Sequence, residues 1–224
     1  MAELQERERA RRSVIRDAAG IGLASGAYAL SFGAVSVAAG LSIVQTCALS
    51  LLMFTGASQF AMVAVIAAGG GPWAGAATAA LLGVRNALYA MRLSALLRVG
   101  GARRLLAAQF VLDESTAMAI ARESDREGRL AFWATGISIF VFWNLATLAG
   151  AIATHALTDP RVLGLDAAPP AAFLALLAPR LRAREPLAVA LAAAGVAIVL
   201  VPFVPAGVPL LVAAALVAVW GLTR

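Results

Sequence analysis

Polar and apolar positions divide this chain unevenly. The first 17 residues are dense in charge, and then from 18 to 97 only Arg85 and Arg92 are charged. Gly40-Leu41-Ser42 and Gly69-Gly70-Gly71-Pro72 interrupt that apolar stretch. The pattern predicts helices over 18–39, 42–68 and 72–97. Each exceeds the roughly 20 residues that cross about 30 Å of hydrocarbon. A polar turn at 98–104 leads to 105–121, which is apolar apart from Gln109, Asp113, Glu114 and small hydroxyls. A charged loop at 122–129 precedes a clear span at 130–152, then a loop at 154–165 with Asp159-Pro160. Three shorter apolar stretches follow at 169–178, 186–203 and 207–222.

The segment 105–121 could cross, re-enter or lie flat. Positive residues stay on the cytoplasmic side of a membrane. If the segment crosses and the N-terminus is cytoplasmic, the Arg-rich stretches 7–16, 122–129 and 180–184 share the inner face. Only 98–104 and Arg161 then lie outside. This reading favours eight membrane segments, with seven as the alternative. The expected fold is all-α: a polytopic helical membrane protein, with residues 1–17 as a polar cytoplasmic segment and 18–224 as one helical transmembrane domain. Glu3/Arg7 and Glu8/Arg12 have the i,i+4 spacing of a short solvated helix that fixes orientation.

Composition supports this class. The chain is 62% hydrophobic and 13% charged, against about 25% charged in soluble domains. Disorder, a coiled coil and an ordinary soluble enzyme are excluded. Unbroken apolar runs, with only 7% aromatic residues, argue against an alternating β-barrel. All 18 basic residues are Arg, and the net charge is +6. They sit at helix ends rather than in a basic module with aromatics, so the basicity reads as topology and not as nucleic-acid binding. Cys47 and His155 are each the only residue of their type. No metal site and no intrachain disulfide are expected. There is no Walker A pattern, Rossmann fingerprint, metalloprotease helix or nucleophile elbow. No cofactor and no enzyme activity are expected.

The chemistry lies in polar residues within the apolar segments. Arg85 stands near the centre of 72–97, where it costs at least about 2.5–3.5 kcal/mol on insertion scales. Asn86 is beside it, and Tyr89 and Arg92 follow on the same face. Arg92 is near enough to the helix end to snorkel. Arg85 either forms a bidentate contact with a substrate carboxylate or pairs with Asp113 or Glu114, and an ion pair can exchange partners. Adjacent carboxylates point about 100° apart on a helix, so only one can face Arg85. The other is a candidate proton carrier. Phe54-Thr55-Gly56-Ala57-Ser58-Gln59-Phe60 places a Gly, two hydroxyls and an amide in mid-span. It reads either as an unwound segment offering backbone groups to a ligand or as a close helix contact. Asn144 reads as helix–helix glue.

A weak internal repeat is visible. Ala24-Ser25-Gly26 through Phe32 to Ala39-Gly40 lines up with Ala134-Thr135-Gly136 through Phe142 to Ala149-Gly150. Gly40-Leu41-Ser42 and Ala48–Leu52 likewise resemble Gly164-Leu165-Asp166 and Ala172–Leu176. The repeat halves would be about 18–97 and 130–222, and repeats in membrane chains mark transporters that bind substrate where the halves meet.

On these residues the chain resembles the AzlC family, the large subunit of two-component branched-chain amino acid exporters. The marks are Ala29-Leu30-Ser31-Phe32-Gly33-Ala34, the Phe54–Phe60 element, Arg85-Asn86-Ala87-Leu88-Tyr89 and Leu112-Asp113-Glu114. Relatives often read Arg-His where this chain has Arg85-Asn86, and Thr-Asp-Glu where it has Leu112-Asp113-Glu114. The resemblance implies a cell-membrane exporter of branched-chain or related neutral amino acids, driven by the proton motive force, with a small AzlD-type membrane partner. Substrate contacts are then expected from Arg85, Asn86, Tyr89, Thr55, Gly56, Ser58 and Gln59, with Asp113 and Glu114 in proton coupling. The alternative is a membrane scaffold whose polar residues only join it to a partner.

Overall fold

The computed structural model describes residues 1–156, 174, 178 and 180–222. Among them every regular element is helical. The α-helices are α1 (Ala2–Ala38), α2 (Ile43–Met53), α3 (Ala57–Ala67), α4 (Pro72–Leu97), α5 (Ala102–Gln109), α6 (Asp113–Ile120), α7 (Asp125–His155), α8 (Arg184–Leu200) and α9 (Val208–Leu222). The polar leader and the first apolar run form one continuous helix, with Arg12 reaching Glu8 at 3.5 Å on its solvated end. The side chain of Glu3 lies outside the described residues. Two stretches, Arg7–Ala38 and Asp125–His155, are long and apolar enough to cross a membrane.

Those two helices form the spine. Gly22 faces Ser138, Gly26 faces Phe142, and Gly33 faces Thr147 and Ala151. Numbers rise together on both helices, so α1 and α7 run parallel. The contact depends on missing side chains. A Cβ on Gly33 would collide with the Thr147 carbonyl, and one on Gly150 with that of Leu30. Small residues that let backbones approach are the main means of holding helices together where no hydrophobic drive exists. The repeat proposed from the sequence aligns Gly26 with Gly136 and Phe32 with Phe142. The part of that alignment at 164–176 reaches beyond the described residues, as do the expected loop after His155 and most of the segment 169–178.

The expected single span at 42–68 is not one helix. The chain leaves helical geometry at Phe54-Thr55-Gly56, with positive φ at Phe54 (23°) and Gly56 (58°). The directions follow from contacts. Along α2, Ser50 meets Asn144 and Thr147, while Phe54 further on meets Phe140. α2 therefore runs antiparallel to α7. In α3, Ser58 approaches Gly83 and Met62 faces Gly75, so α3 is antiparallel to α4. The C-terminal end of α4 lies at the start of α7, where Arg129 donates to the Leu96 carbonyl at 3.2 Å and Arg98 pairs with Asp125 at 3.5 Å. α4 is therefore antiparallel to α7, and α3 is parallel to it. Thus α2 and α3 form a hairpin that enters from the C-terminal end of α1 and turns back at 54–56.

The segment 105–121 does the same from the opposite end. It is broken at Phe110-Val111-Leu112. Ala119 faces Gly128 while Phe110 packs on Gly136, so α6 runs antiparallel to α7 and α5 rises beside it. Two of the expected spans are therefore helical hairpins. A long helix followed by a hairpin occurs twice, α1 with α2–α3 and α4 with α5–α6, in inverted orientation. One consequence is that the arginines of 7–16, 98–104 and 122–129 gather at one end of the bundle. Arg122 on Asp17 at 3.4 Å and Arg98 on Asp125 tie those stretches together, where the sequence reading had put 98–104 outside.

Candidate functional site

The two hairpin tips meet in the middle of the bundle. Phe54 and Phe110 lie 6.4 Å apart, ring centre to ring centre, and both pack edge-on against Phe140 at 5.0 and 5.7 Å. Gln109 donates its amide to the Leu51 carbonyl at 2.7 Å, across the two hairpins. Around them Tyr28 stacks on Phe60 at 4.7 Å, with Trp143 edge-on to both. Four half-helix ends therefore converge. The N-termini of α3 and α6 bring partial positive charge, and the C-termini of α2 and α5 bring partial negative charge.

Gln59 builds the first tip. It is wholly buried. Its Oε1 accepts the Gly56 amide at 3.0 Å, and its Nε2 donates to the Leu49 carbonyl at 3.1 Å on the other arm. Both halves of the amide hold the hairpin shut, so the geometry gives Gln59 a positioning job instead of the expected substrate contact. Gly56 supplies the positive φ that the turn requires. A Cβ there would stand 3.5 Å from Trp143, which is ordinary contact, so the demand comes from the backbone. Gln59→Leu is expected to destabilise the protein by about 2–5 kcal/mol, because the Gly56 amide and Leu49 carbonyl each lose a buried partner. Urea unfolding followed by circular dichroism in detergent checks this.

Arg85 bridges the second tip. Its Nη1 lies 2.8 Å from Asp113 Oδ2, with the two side chains 34% and 40% exposed. The pair joins the middle of α4 to the first turn of α6. The pair is only partly covered, while Arg85 Nε and Asp113 Oδ1 are buried and have no hydrogen-bond partner among the described residues. Asp113 and Glu114 also occupy the first turn of α6, where carboxylates complement the helix dipole. α3 has no acid in its first turn, so its N-terminal charge is unneutralised by its own side chains. Tyr28 OH, Thr55 Oγ1, Ser58 Oγ, Asn86 Oδ1 and Trp143 Nε1 are also buried without a hydrogen-bond partner among the described residues.

The structure thus brings Thr55, Gly56, Ser58, Arg85, Asn86 and Asp113 to the meeting of the two hairpins. Tyr89, one turn beyond Arg85 on α4, packs against the cluster of Leu93, Val111 and Phe132. Glu114 is exposed on α6. Tyr28 and Trp143 were missed as site residues from the sequence. Asn144 is glue, as expected: it accepts from Ser50 at 2.7 Å and donates to the Phe140 carbonyl at 2.8 Å. No group of three or more His, Cys, Asp or Glu that could hold a metal occurs among the described residues.

Comparison with known proteins gives a consistent picture. The family described as "AzlC protein" matches residues 20–157, which is α1 to α7 and both hairpins. The inner membrane protein YgaZ of Escherichia coli (strain K12) is 30% identical over 175 residues, covering 75% of this chain and 71% of the relative. No solved structure matches the chain.

Proposed function

As a member of the AzlC family, this chain is a membrane protein of the transporter type, and we propose that it is the large subunit of a secondary exporter of branched-chain or related neutral amino acids. The observation that carries this reading is the half-exposed Arg85–Asp113 pair at the junction of two opposed hairpins. Secondary transporters bind at such points, with half-helix N-termini facing anionic groups and freed carbonyls facing cations. A zwitterion needs both. Arg85 and the α3 N-terminus suit its carboxylate. The carbonyl ends of α2 and α5 suit its ammonium. The small residues and aromatic rings nearby suit an aliphatic side chain.

In the transport cycle the substrate carboxylate replaces Asp113 on Arg85, and the released Asp113 takes a proton. Glu114 stands next to it as a second proton carrier. The Arg-rich end, which holds the N-terminus, is cytoplasmic by the positive-inside rule. α1, α4 and α7 cross, the hairpins re-enter from either side, and α8 and α9 complete a multi-pass domain in the cell membrane. Leu81, Val84, Leu88 and Met91 expose an apolar flank on α4 for lipid or for a small AzlD-type subunit.

Efflux of labelled leucine, isoleucine, valine and methionine from cells with and without this gene, together with its small partner, tests the reading. Retention lower in expressing cells supports it. Equal retention for all four removes it and leaves the scaffold role. Asp113→Asn and Glu114→Gln are each expected to flatten the dependence of efflux on external pH. An unchanged profile in both removes proton coupling through these acids.

A further inference from the structure

A second polar site lies apart from the hairpin tips. A cavity of about 330 Å³ sits between the C-terminal half of α4 and the α6–α7 loop. Arg92, Arg98 and Arg122 line it against Glu123 and Asp125. Arg98 already pairs with Asp125, and Arg122 with Asp17. Arg92 has no ion pair among the described residues. One wall is the N-terminus of the 31-residue α7, through Ser124 and Asp125. There the Ser124 hydroxyl accepts only the Glu127 amide of the first turn. The α7 N-terminus is already faced by Asp125 and Glu127 of its own first turn, so the attraction for an anion comes from the uncommitted Arg92 and the two partly engaged guanidiniums. Glu123 and the last carbonyls of α6 stand opposite for a cation.

We propose that this cavity binds small soluble carboxylates, amino acids among them, as a vestibule that loads the Arg85 site. Its volume lies at the small end of ligand pockets and suits a molecule of a few heavy atoms. Arg92 is on the same face of α4 as Arg85, seven residues or about 10 Å along the axis. The contact between α4 and α6 carries the Arg85–Asp113 pair at one end and this cavity at the other, with the packed cluster of Leu93, Val111 and Ala119 between them. The cavity opens at the Arg-rich end, the loading side for an exporter. The loading role rests on the transport reading. The binding does not.

The test uses the full chain in phosphatidylcholine nanodiscs, with Cys47→Ser to remove the native thiol and Ala95→Cys on the cavity wall. Ile120→Cys serves as a second reporter on the opposite wall. The readout is the rate of maleimide labelling. Leucine and isovalerate, which has a carboxylate but no ammonium, are expected to slow labelling, while leucinamide is not. Arg92→Gln is expected to raise the half-protecting concentration at least tenfold, and Arg85→Ala to leave it unchanged while stopping transport. Equal protection by leucinamide, or protection indifferent to Arg92→Gln, overturns the proposal. So does protection that appears without solute when phosphatidylglycerol is added, which would assign the cavity to a lipid headgroup. Carboxylate protection in a protein that exports none of the four amino acids keeps this site and removes the exporter.

Discussion

Replacing Arg85 with alanine is expected to reduce amino acid efflux to the level of cells lacking the protein. A hydrogen bond to a charged group contributes about 1.5–3 kcal/mol, so loss of a bidentate contact weakens substrate capture by at least about tenfold. The folded protein should survive. Removing one partner of a sealed ion pair costs about 3–5 kcal/mol; the Asp113 side chain is 40% exposed and not fully enclosed, which places the cost toward the low end of that range. Efflux of labelled leucine is measured beside membrane-inserted protein quantified by blot, so a transport defect separates from a folding defect. Normal efflux by correctly inserted Arg85→Ala protein removes the carboxylate role.

The second large effect lies in the α1–α7 spine. Gly33→Leu and Gly150→Leu are each expected to abolish the folded monomer. In both cases the new side chain meets the partner helix backbone, not a movable side-chain tip. Overpacking typically costs 1–3 kcal/mol, and it costs more where a carbonyl must retreat and two parallel helices separate. Gly20→Ala is the control, because nothing lies within 4 Å of a Cβ there. It should be neutral or slightly stabilising through helix propensity. Fluorescence-detected size-exclusion profiles of detergent extracts check this. Monodisperse Gly33→Leu protein would show that the helices can part without loss of the fold.

The helices themselves were legible because their signal is local. Long apolar runs and Gly-rich turns define most of them, whereas the loop read at 122–129 is, from Asp125 on, the first turn of α7, capped by the Ser124 hydroxyl. The break at Phe54–Gly56 was also legible, as a Gly and polar side chains where hydrocarbon was expected. What the pattern could not carry is direction. A 27-residue apolar segment crosses a bilayer or folds back in it with the same composition, and only the Gln59 amide clasping Leu49 reveals the hairpin. The arginines could have helped, but only jointly. Treating 42–68 as a span favours 105–121 as one as well, because otherwise both 98–104 and 122–129 fall outside. Treating both as hairpins puts 7–16, 98–104 and 122–129 at one end.

At the site, Arg85, Asp113 and the Phe54–Phe60 element were visible as polar groups out of place. Trp143 was visible only as an aromatic at depth beside Asn144, and Tyr28 was not, since an aromatic in a membrane helix carries no role until its neighbours are known. The two roles of Arg85 considered from the sequence are not exclusive. The pair exists, and Arg85 Nε and Asp113 Oδ1 are left without a hydrogen-bond partner among the described residues.

That exchange is the central claim, and it makes two neighbouring substitutions differ in sign. If Asp113 competes with the substrate carboxylate for Arg85, equilibrium binding of labelled leucine to purified protein should be lost in Arg85→Gln and tightened in Asp113→Asn. If the pair is only a strut between α4 and α6, both substitutions should weaken binding alike, and a loss in Asp113→Asn equal to that in Arg85→Gln would contradict the account.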